Sequence, residues 1–155
     1  MNLDSSIPTT VKRPTNRRAL GLLIAAVTTS SCGASPITAQ RIERAMELTF
    51  ANLVSVQVSR LEIPAMTPSE FDVTASCRKQ AGGSDAGAGE WMCRLRWLSP
   101  DRQTLRDTFD LVVTTDGCYT ATAEGEQFGG PTLTARSGRA VRNLLHTFEG
   151  CFDTT

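Results

Sequence analysis

Two cysteines lie in segments that alternate between apolar and polar side chains, and they constrain the fold more than any other feature. Residues 71–79 read FDVTASCRK and carry Cys77, and residues 91–97 read WMCRLRW and carry Cys93. In both segments the cysteine falls on the apolar side, which is the pattern of a strand with one buried face. The stretch AGGSDAGAG between them predicts a solvated hairpin tip.

One register of this hairpin satisfies the sulfurs and the apolar faces together. With Cys77 opposite Cys93, the apolar residues also pair on one face: Ala75 with Leu95, and Val73 with Trp97. A slip of one residue would turn Cys93 to the other face. We therefore predict a Cys77–Cys93 disulfide. Bond geometry must still permit it, and a Cys77–Cys118 bond is the alternative that would contradict the register.

A helix is expected before this hairpin. Ser35 followed by Pro36 is typical of a helix start, so we predict a helix from Pro36 to about Val56. Its buried stripe, at helical spacing, is Ile42, Ala45, Met46, Thr49 and Leu53. The charged residues expected to face water are Arg41, Glu43, Arg44 and Glu47. The alternation of Val54, Val56 and Val58 leaves a short strand open at the end.

Further strands are expected after the hairpin. Residues 104–115 predict a third strand with Leu105, Phe109, Leu111 and Val113 inward, and TDG predicts a turn with Gly117 in the left-handed region. Residues 118–123 predict a fourth strand, which places Tyr119, Ala121 and Ala123 opposite Val113, Leu111 and Phe109. Residues 133–135 and 140–142 predict a small hairpin, and residues 143–148 a helical turn. Cys151 would then pair with Cys118. The expected fold class is α+β, an N-terminal helix packed on a four- to five-stranded antiparallel sheet with two disulfides.

The first 31 residues have the organisation of an export signal. Four basic residues lie between Lys12 and Arg18, residues 19–27 are apolar, and residues 28–31 are small or polar. Nine helical residues rise about 14 Å, well short of a hydrocarbon core of about 30 Å. We therefore predict a signal peptide rather than a transmembrane span.

Cys32 follows this leader directly and is followed by Gly33. The arrangement resembles the bacterial lipoprotein signal, in which the cysteine receives diacylglycerol and becomes the N-terminus, although Thr29 stands where that family usually has leucine. The Arg17-Arg18 pair also resembles a twin-arginine export signal. The expected organisation is a lipoprotein signal peptide at 1–31, a lipidated tether at 32–40 and one α+β domain at 41–155. Diacylglycerol and palmitate on Cys32 would attach the chain to the membrane, leaving four cysteines for two disulfides.

Composition and motifs argue against several function classes. From Cys32 onward the chain has 12 basic and 15 acidic residues, a net charge of −3, so nucleic-acid binding is not expected. His146 is the single histidine, no Gly-x-Ser-x-Gly motif occurs and the cysteines lack CxxC spacing. We therefore predict no catalytic residue, no metal site and no cofactor. The acidic pairs Glu124/Glu126 and Asp107/Asp110 are expected to be solvated.

Two groups of side chains leave a binding role open. Trp91 and Trp97 share the cysteine face, so core packing is favoured over a ligand groove. Three arginines, Arg78, Arg94 and Arg96, are expected on the opposite face. They would form either a patch for an anionic ligand or headgroup, or a solvated surface balanced by acids such as Asp72.

The segments SCR, GEWMC, DGCYTA and FEGCFD, which carry the four later cysteines, resemble those of small actinobacterial cell-envelope lipoproteins of unknown function. The resemblance implies export, anchoring and two disulfides, and it implies no activity. The expected function is a non-catalytic binding or accessory module on the extracytoplasmic face of the cell membrane, with an envelope protein as a candidate partner. The alternatives are a secreted hydrolase that uses His146 and a purely structural envelope protein.

Overall fold

The computed structural model describes residues 37–80 and 86–152. The leader, Cys32, the expected helix start at Ser35 and Pro36, and residues 81–85 of the predicted hairpin tip lie outside the described residues. The helix α1 spans Ala39–Arg60. The strands are β1 (Thr74–Lys79), β2 (Gly89–Leu98), β3 (Thr104–Val113), β4 (Cys118–Ala123), β5 (Thr132–Thr134), β6 (Ala140–Arg142) and β7 (Thr147–Cys151).

The main sheet has five antiparallel strands in the order β1-β2-β3-β4-β7, and α1 packs on one face of it. A separate hairpin pairs β5 with β6. The expected α+β fold class is therefore confirmed. The predicted strand at 118–123 has the observed bounds, and Gly117, with φ of 82°, adopts the left-handed conformation predicted for its turn.

Both predicted disulfides are present. Cys77 lies opposite Cys93 and Ala75 opposite Leu95, which is the predicted register. The second bond joins Cys118 of β4 to Cys151 of β7. The bonds close loops with sequence separations of 16 and 33. In the chain-entropy model such loops stabilise the fold by roughly 3 and 4 kcal/mol.

The helix differs from the prediction at both ends. It begins after the N-cap Thr38, whose hydroxyl accepts a hydrogen bond from Arg41 N at 3.4 Å. Ile37 is already buried outside the helix, and Thr38 pairs with Ala86, so the chain enters in an extended conformation. Thus residues 37–40 of the expected tether contribute to the folded unit, while the tether boundary itself stays a prediction.

At its other end the helix continues four residues beyond Val56, which excludes the alternative strand there. Burial explains the extension, because Gln57 and Val58 pack inside the protein. Ile42, Ala45 and Met46 belong to the buried stripe as predicted, whereas Thr49 and Leu53 are only half-buried. Their places are taken by residues one position further along the chain: Phe50 and Val54.

An aromatic cluster centred on Phe50 of α1 fills the space between the helix and the sheet. The Phe50 ring centroid lies 5.0 Å from that of Trp97 and 5.7 Å from that of Phe109. Phe128 and Phe148 lie at 5.9 and 6.3 Å. Trp97 is 3% exposed and Trp91 is fully buried, so the prediction that both tryptophans are core residues is confirmed.

The predicted helical turn at 143–148 is wrong. Residues 144–146 form a turn, and the chain then enters the edge strand β7. In this conformation Phe148 lies opposite Ala121 and is buried in the core, which a single helical turn would not achieve.

Gly150 of β7 lies opposite Tyr119, and a Cβ there would overlap the tyrosine hydroxyl. The close approach of β7 to β4 therefore needs glycine at this position.

Candidate functional site

The outer face of the sheet, opposite α1, carries a cluster of arginines on its first three strands. Arg78, Arg94 and Arg96 alternate with buried residues, as predicted, and Arg106 of β3 joins them. Arg96 lies directly opposite Arg106 on the neighbouring strand, and Arg94 lies opposite Thr108. We define the arginine face as Thr74, Ser76, Arg78, Arg94, Arg96, Arg106 and Thr108.

The sequence prediction missed Arg106. The inward position of Leu105 already implies that Arg106 points outward, because side chains alternate along a strand. Its position opposite Arg96 depends on the register of β2 with β3, which is set by the turn at residues 99–103. The sequence analysis does not predict that register, so the predicted cluster of arginines lacks Arg106.

A groove of about 460 Å³ crosses the arginine face. Its donors are the guanidinium groups of Arg94, Arg96 and Arg106, together with the hydroxyls of Thr74, Ser76 and Thr108. The row between them, Ala75, Leu95 and Asp107, forms the floor and directs its side chains to the opposite face by strand alternation. Guanidinium groups bind phosphate and carboxylate with paired hydrogen bonds, and hydroxyls add single donors. The groove therefore has the donor set of an anion site.

Charge on this face is only partly balanced by protein groups. Arg96 Nη2 lies 3.3 Å from Asp72 Oδ2, but these side chains are 37% and 61% exposed, so the pair contributes little. Within the described residues, no salt bridge involves Arg94 or Arg106. Like charges directly opposite each other on neighbouring strands are destabilising. A bound anion would relieve the repulsion between Arg96 and Arg106.

Carboxylates on β3 and just after β4 form a second polar group on the sheet. Hydrogen bonding to Asp110 raises the pKa of Glu124 above its usual value, and burial and the charges of Asp110 and Asp107 act in the same direction. Asp110 also accepts a hydrogen bond from the Gln80 side chain. Glu124 and Asp110 are both exposed, so this acidic pair lies at the surface of the protein. The predicted partner Glu126 has a side chain outside the described part of the structure.

Asp107 departs from the expected solvated position because it is half-buried on the core side of β3. Its Oδ1 accepts a hydrogen bond from Thr108 N at 2.7 Å, whereas the buried Oδ2 has no partner. Gly125 lies against this carboxylate so closely that a Cβ would overlap it. Asp107 is therefore enclosed by the chain that follows β4.

His146 lies half-exposed in the turn before β7. Its Nδ1 is 3.3 Å from the Thr147 hydroxyl, and in the described part of the chain no hydrogen bond or salt bridge joins the ring to a carboxylate. A serine-hydrolase arrangement needs a third group that orients the imidazole. Among the described residues, the one side-chain hydrogen-bond partner of His146 is the Thr147 hydroxyl, and the hydrolase alternative stays a prediction.

Within 37–80 and 86–152, no three side chains of His, Cys, Asp or Glu come together as a metal site would require. The described helices include none with the length and apolar character needed to cross a membrane. Cys32, the predicted lipidation site, lies outside the described residues.

Comparison with protein-family models, curated proteins and solved structures finds no match to the chain.

Proposed function

We propose that the chain is an exported lipoprotein, attached by diacylglycerol on Cys32 to the extracytoplasmic face of a bacterial cell membrane. It acts there as a non-catalytic binding module. The arginine face is its binding surface, and its ligand is a phosphate-bearing component of the envelope. Guanidinium and hydroxyl donors around one groove are the chemistry that recognises such a ligand.

The pairing of the cysteines is the observation that supports the anchor. The chain has five cysteines, and two disulfides use four of them. Cys32 therefore has no cysteine of its own chain left to pair with, and an odd cysteine in an exported protein needs a separate role. Its position directly after a basic and apolar leader suits lipid attachment. Stable disulfides are also typical of an oxidising compartment outside the cytoplasm.

The charge distribution supports the arginine face as the binding surface. From Cys32 onward the chain is net acidic, so a cluster of arginines is a local feature rather than a consequence of overall composition. Long-range attraction to anions is screened within about 8–10 Å at physiological salt, so affinity depends on the local cluster. Arg94 and Arg106 have no salt bridge in the described region and are exposed to an incoming ligand.

The anchor is tested by mass spectrometry of the protein extracted from membranes. The N-terminal peptide is expected to begin at Cys32 and to carry diacylglycerol. A Cys32→Ser variant should lose the lipid and leave the membrane fraction, whereas a Ser31→Ala variant should keep both. A freely released wild-type protein without lipid would contradict the anchor.

The binding surface is tested by replacing the three arginines of the groove with glutamine: Arg94, Arg96 and Arg106. The control replaces three exposed arginines elsewhere, so both variants lose the same charge: Arg60, Arg136 and Arg142. Two probes distinguish the sources of phosphate, namely vesicles with phosphatidylglycerol and soluble polyphosphate. We expect only the groove variant to lose binding to one or both probes. Equal losses in the two variants would overturn the assignment of the ligand to this face.

A further inference from the structure

A second cavity lies between the C-terminal half of α1 and the β5–β6 hairpin. This helix cleft has a volume of about 280 Å³. Its wall is mainly apolar and includes Val58, Ile63, Trp97, Leu105, Leu133 and Leu145. Among the described side chains that line it, none is charged. The cleft therefore suits a neutral and largely apolar molecule.

One polar side chain in the helix cleft is incompletely satisfied. Gln57 of α1 is only 2% exposed and lines the cleft. Its Oε1 accepts a hydrogen bond from Leu144 N at 2.8 Å. Because that N–H can donate only to oxygen, the orientation of the amide is fixed and the remaining atom is the NH₂ group. This Nε2 has no hydrogen-bond partner among the protein atoms described.

The other buried polar side chains at the cleft, Asn143 and Ser99, have hydrogen-bond partners within the protein. The Asn143 side chain donates to Phe128 O and Gly130 O, at 2.7 and 2.9 Å, and accepts from Leu145 N at 3.0 Å. Ser99 Oγ accepts a hydrogen bond from Gln103 N at 3.1 Å. Of these three buried polar side chains, Gln57 is thus the one whose amide nitrogen has no hydrogen-bond partner in the described part of the chain. Leaving such a donor unpaired is unfavourable, so a ligand that accepts its hydrogen bond is favoured.

The rim of the cleft is held in place by contacts between the hairpin and the end of the helix. Glu62 accepts hydrogen bonds from Ser137 N and Ser137 Oγ, at 2.9 and 2.8 Å. Arg136 N donates to Leu61 O at 3.2 Å, and Arg139 Nη2 lies 3.6 Å from Glu62 Oε1. These contacts position Leu133 at the cleft. The cavity is therefore built from several attached elements rather than from one exposed groove.

We propose that the helix cleft binds a small, neutral, mainly apolar molecule whose carbonyl oxygen accepts a hydrogen bond from Gln57 Nε2. An apolar cavity of about 150 Å³ holds benzene, so 280 Å³ has room for roughly eleven non-hydrogen atoms by proportion. A ketone, an ester or an amide supplies the acceptor without a charge. This inference uses residues outside the arginine face and does not depend on the proposed function.

The test compares two probes of equal size, 2-octanone and 2-methyl-1-octene, which differ in a carbonyl oxygen or a methylene group at the same position. Binding to the ¹⁵N-labelled chain is followed by nuclear magnetic resonance. We expect the ketone to shift the Gln57 side-chain NH₂ signals and to bind roughly 2- to 13-fold more tightly than the alkene. Equal affinities, or no shift at Gln57, would overturn the proposal.

Two variants locate the binding. Leu133→Trp fills the cleft from its rim and leaves Gln57 in place, so it should abolish the ketone-induced shifts. Leu48→Trp adds the same side chain at a position on α1 that is 63% exposed and outside the cleft, and it should bind as the wild type does. Ketone binding that survives Leu133→Trp would place the site elsewhere. If that variant fails to fold, the wild-type comparison of the two probes still decides the proposal.

Discussion

At the scale of single residues, two helix carboxylates satisfy the free edge of the sheet. β1 is an edge strand, yet Ala75 N donates to Glu47 Oε1 and Cys77 N donates to Glu43 Oε1, both at 2.9 Å. Four residues of helix rise about 6 Å and two residues of strand about 6.7 Å, so the two spacings match. The expectation that both glutamates face water is wrong, because each is half-buried and hydrogen-bonded to the sheet.

Because of these hydrogen bonds, removing the carboxylate of Glu43 or Glu47 should destabilise the protein more than removing an exposed carboxylate does. Glu43→Ala and Glu47→Ala should each lower the free energy of unfolding by about 1–2 kcal/mol, because a strand N–H loses a charged acceptor. Urea denaturation measures the change. Glu149→Ala, on the outer face, is the control and should change the free energy of unfolding by less than about 0.5 kcal/mol. Glutamate variants of α1 that match this control would contradict the interpretation.

The ionisation of Glu62 should make the attachment of the β5–β6 hairpin to the end of α1 depend on pH. Hydrogen bonds from Ser137, with the charge of Arg139, lower the pKa of Glu62 below its usual 4.5. Its contribution to attachment is therefore fully present above about pH 4.5 and is lost as the pH falls through the lower folded-state pKa. The Ser137 amide resonance should follow this titration with a midpoint below 4.5.

A Glu62→Gln variant provides the control for this titration. It removes the ionisable group, so the Ser137 amide resonance should lose the transition assigned to Glu62. A transition of unchanged midpoint and amplitude in Glu62→Gln would show that another group is responsible.

At the scale of elements, the two disulfides lie on opposite faces of one sheet. Cys77 and Cys93 lie on the core face and are 8% and 0% exposed. Cys118 precedes the buried Tyr119 and Cys151 follows Gly150, so their side chains alternate to the outer face, where Cys151 is exposed. Directly opposite residues of an antiparallel pair share a face, and each bond therefore joins two strands on its own side.

This placement predicts the order of reduction under native conditions. A reductant reaches the exposed Cys118–Cys151 bond directly, whereas the buried Cys77–Cys93 bond requires opening of the core. Dithiothreitol followed by iodoacetamide should therefore label Cys118 and Cys151 first, as read by peptide mass spectrometry. In denaturant, where both bonds are exposed, the difference in labelling should largely disappear. Earlier labelling of Cys77 and Cys93 in the native protein would contradict this placement.

At the scale of the whole molecule, one core connects the helix, the sheet and the chain after β4. Phe50 contributes from α1, Trp97 and Phe109 from the sheet, and Phe128 from the segment that follows β4. The Trp97 and Phe128 rings also stack on each other with centroids 5.2 Å apart. The described elements should therefore unfold together, because each loses its buried surface when another leaves.

Phe50 is the residue at which this cooperativity is best tested. Phe50→Ala should lower the free energy of unfolding by about 3–5 kcal/mol, because it leaves a cavity among four aromatic rings. Leu48→Ala, at a largely exposed position of the same helix, should have a much smaller effect. Thermal unfolding followed by tryptophan fluorescence and by far-ultraviolet circular dichroism should give coincident transitions. Separate transitions for the two signals would contradict a single core.

Local patterns in the sequence were sufficient for the strands β1 to β4, the pairing of β1 with β2 and of β3 with β4, and the fold class. Alternation has a period of two residues, so a cysteine and its apolar neighbours determine which face is buried and which register is allowed. The β1–β2 and β3–β4 pairings and the core position of Trp91 followed from this rule. The basic leader and the odd number of cysteines likewise predict export and anchoring. These two predictions need the sequence alone, because they do not depend on how the chain packs.

Contacts between distant parts of the chain decided the rest. The helix ends, the strand conformation of residues 147–151 and the half-buried positions of Glu43 and Glu47 depend on which surfaces meet in three dimensions. The same is true of Arg106 opposite Arg96 and of the Gln57 amide nitrogen, which has no hydrogen-bond partner among the described residues. Short-range periodicity determines which side of an element is apolar, but burial and hydrogen bonding are fixed only when that side finds its partner.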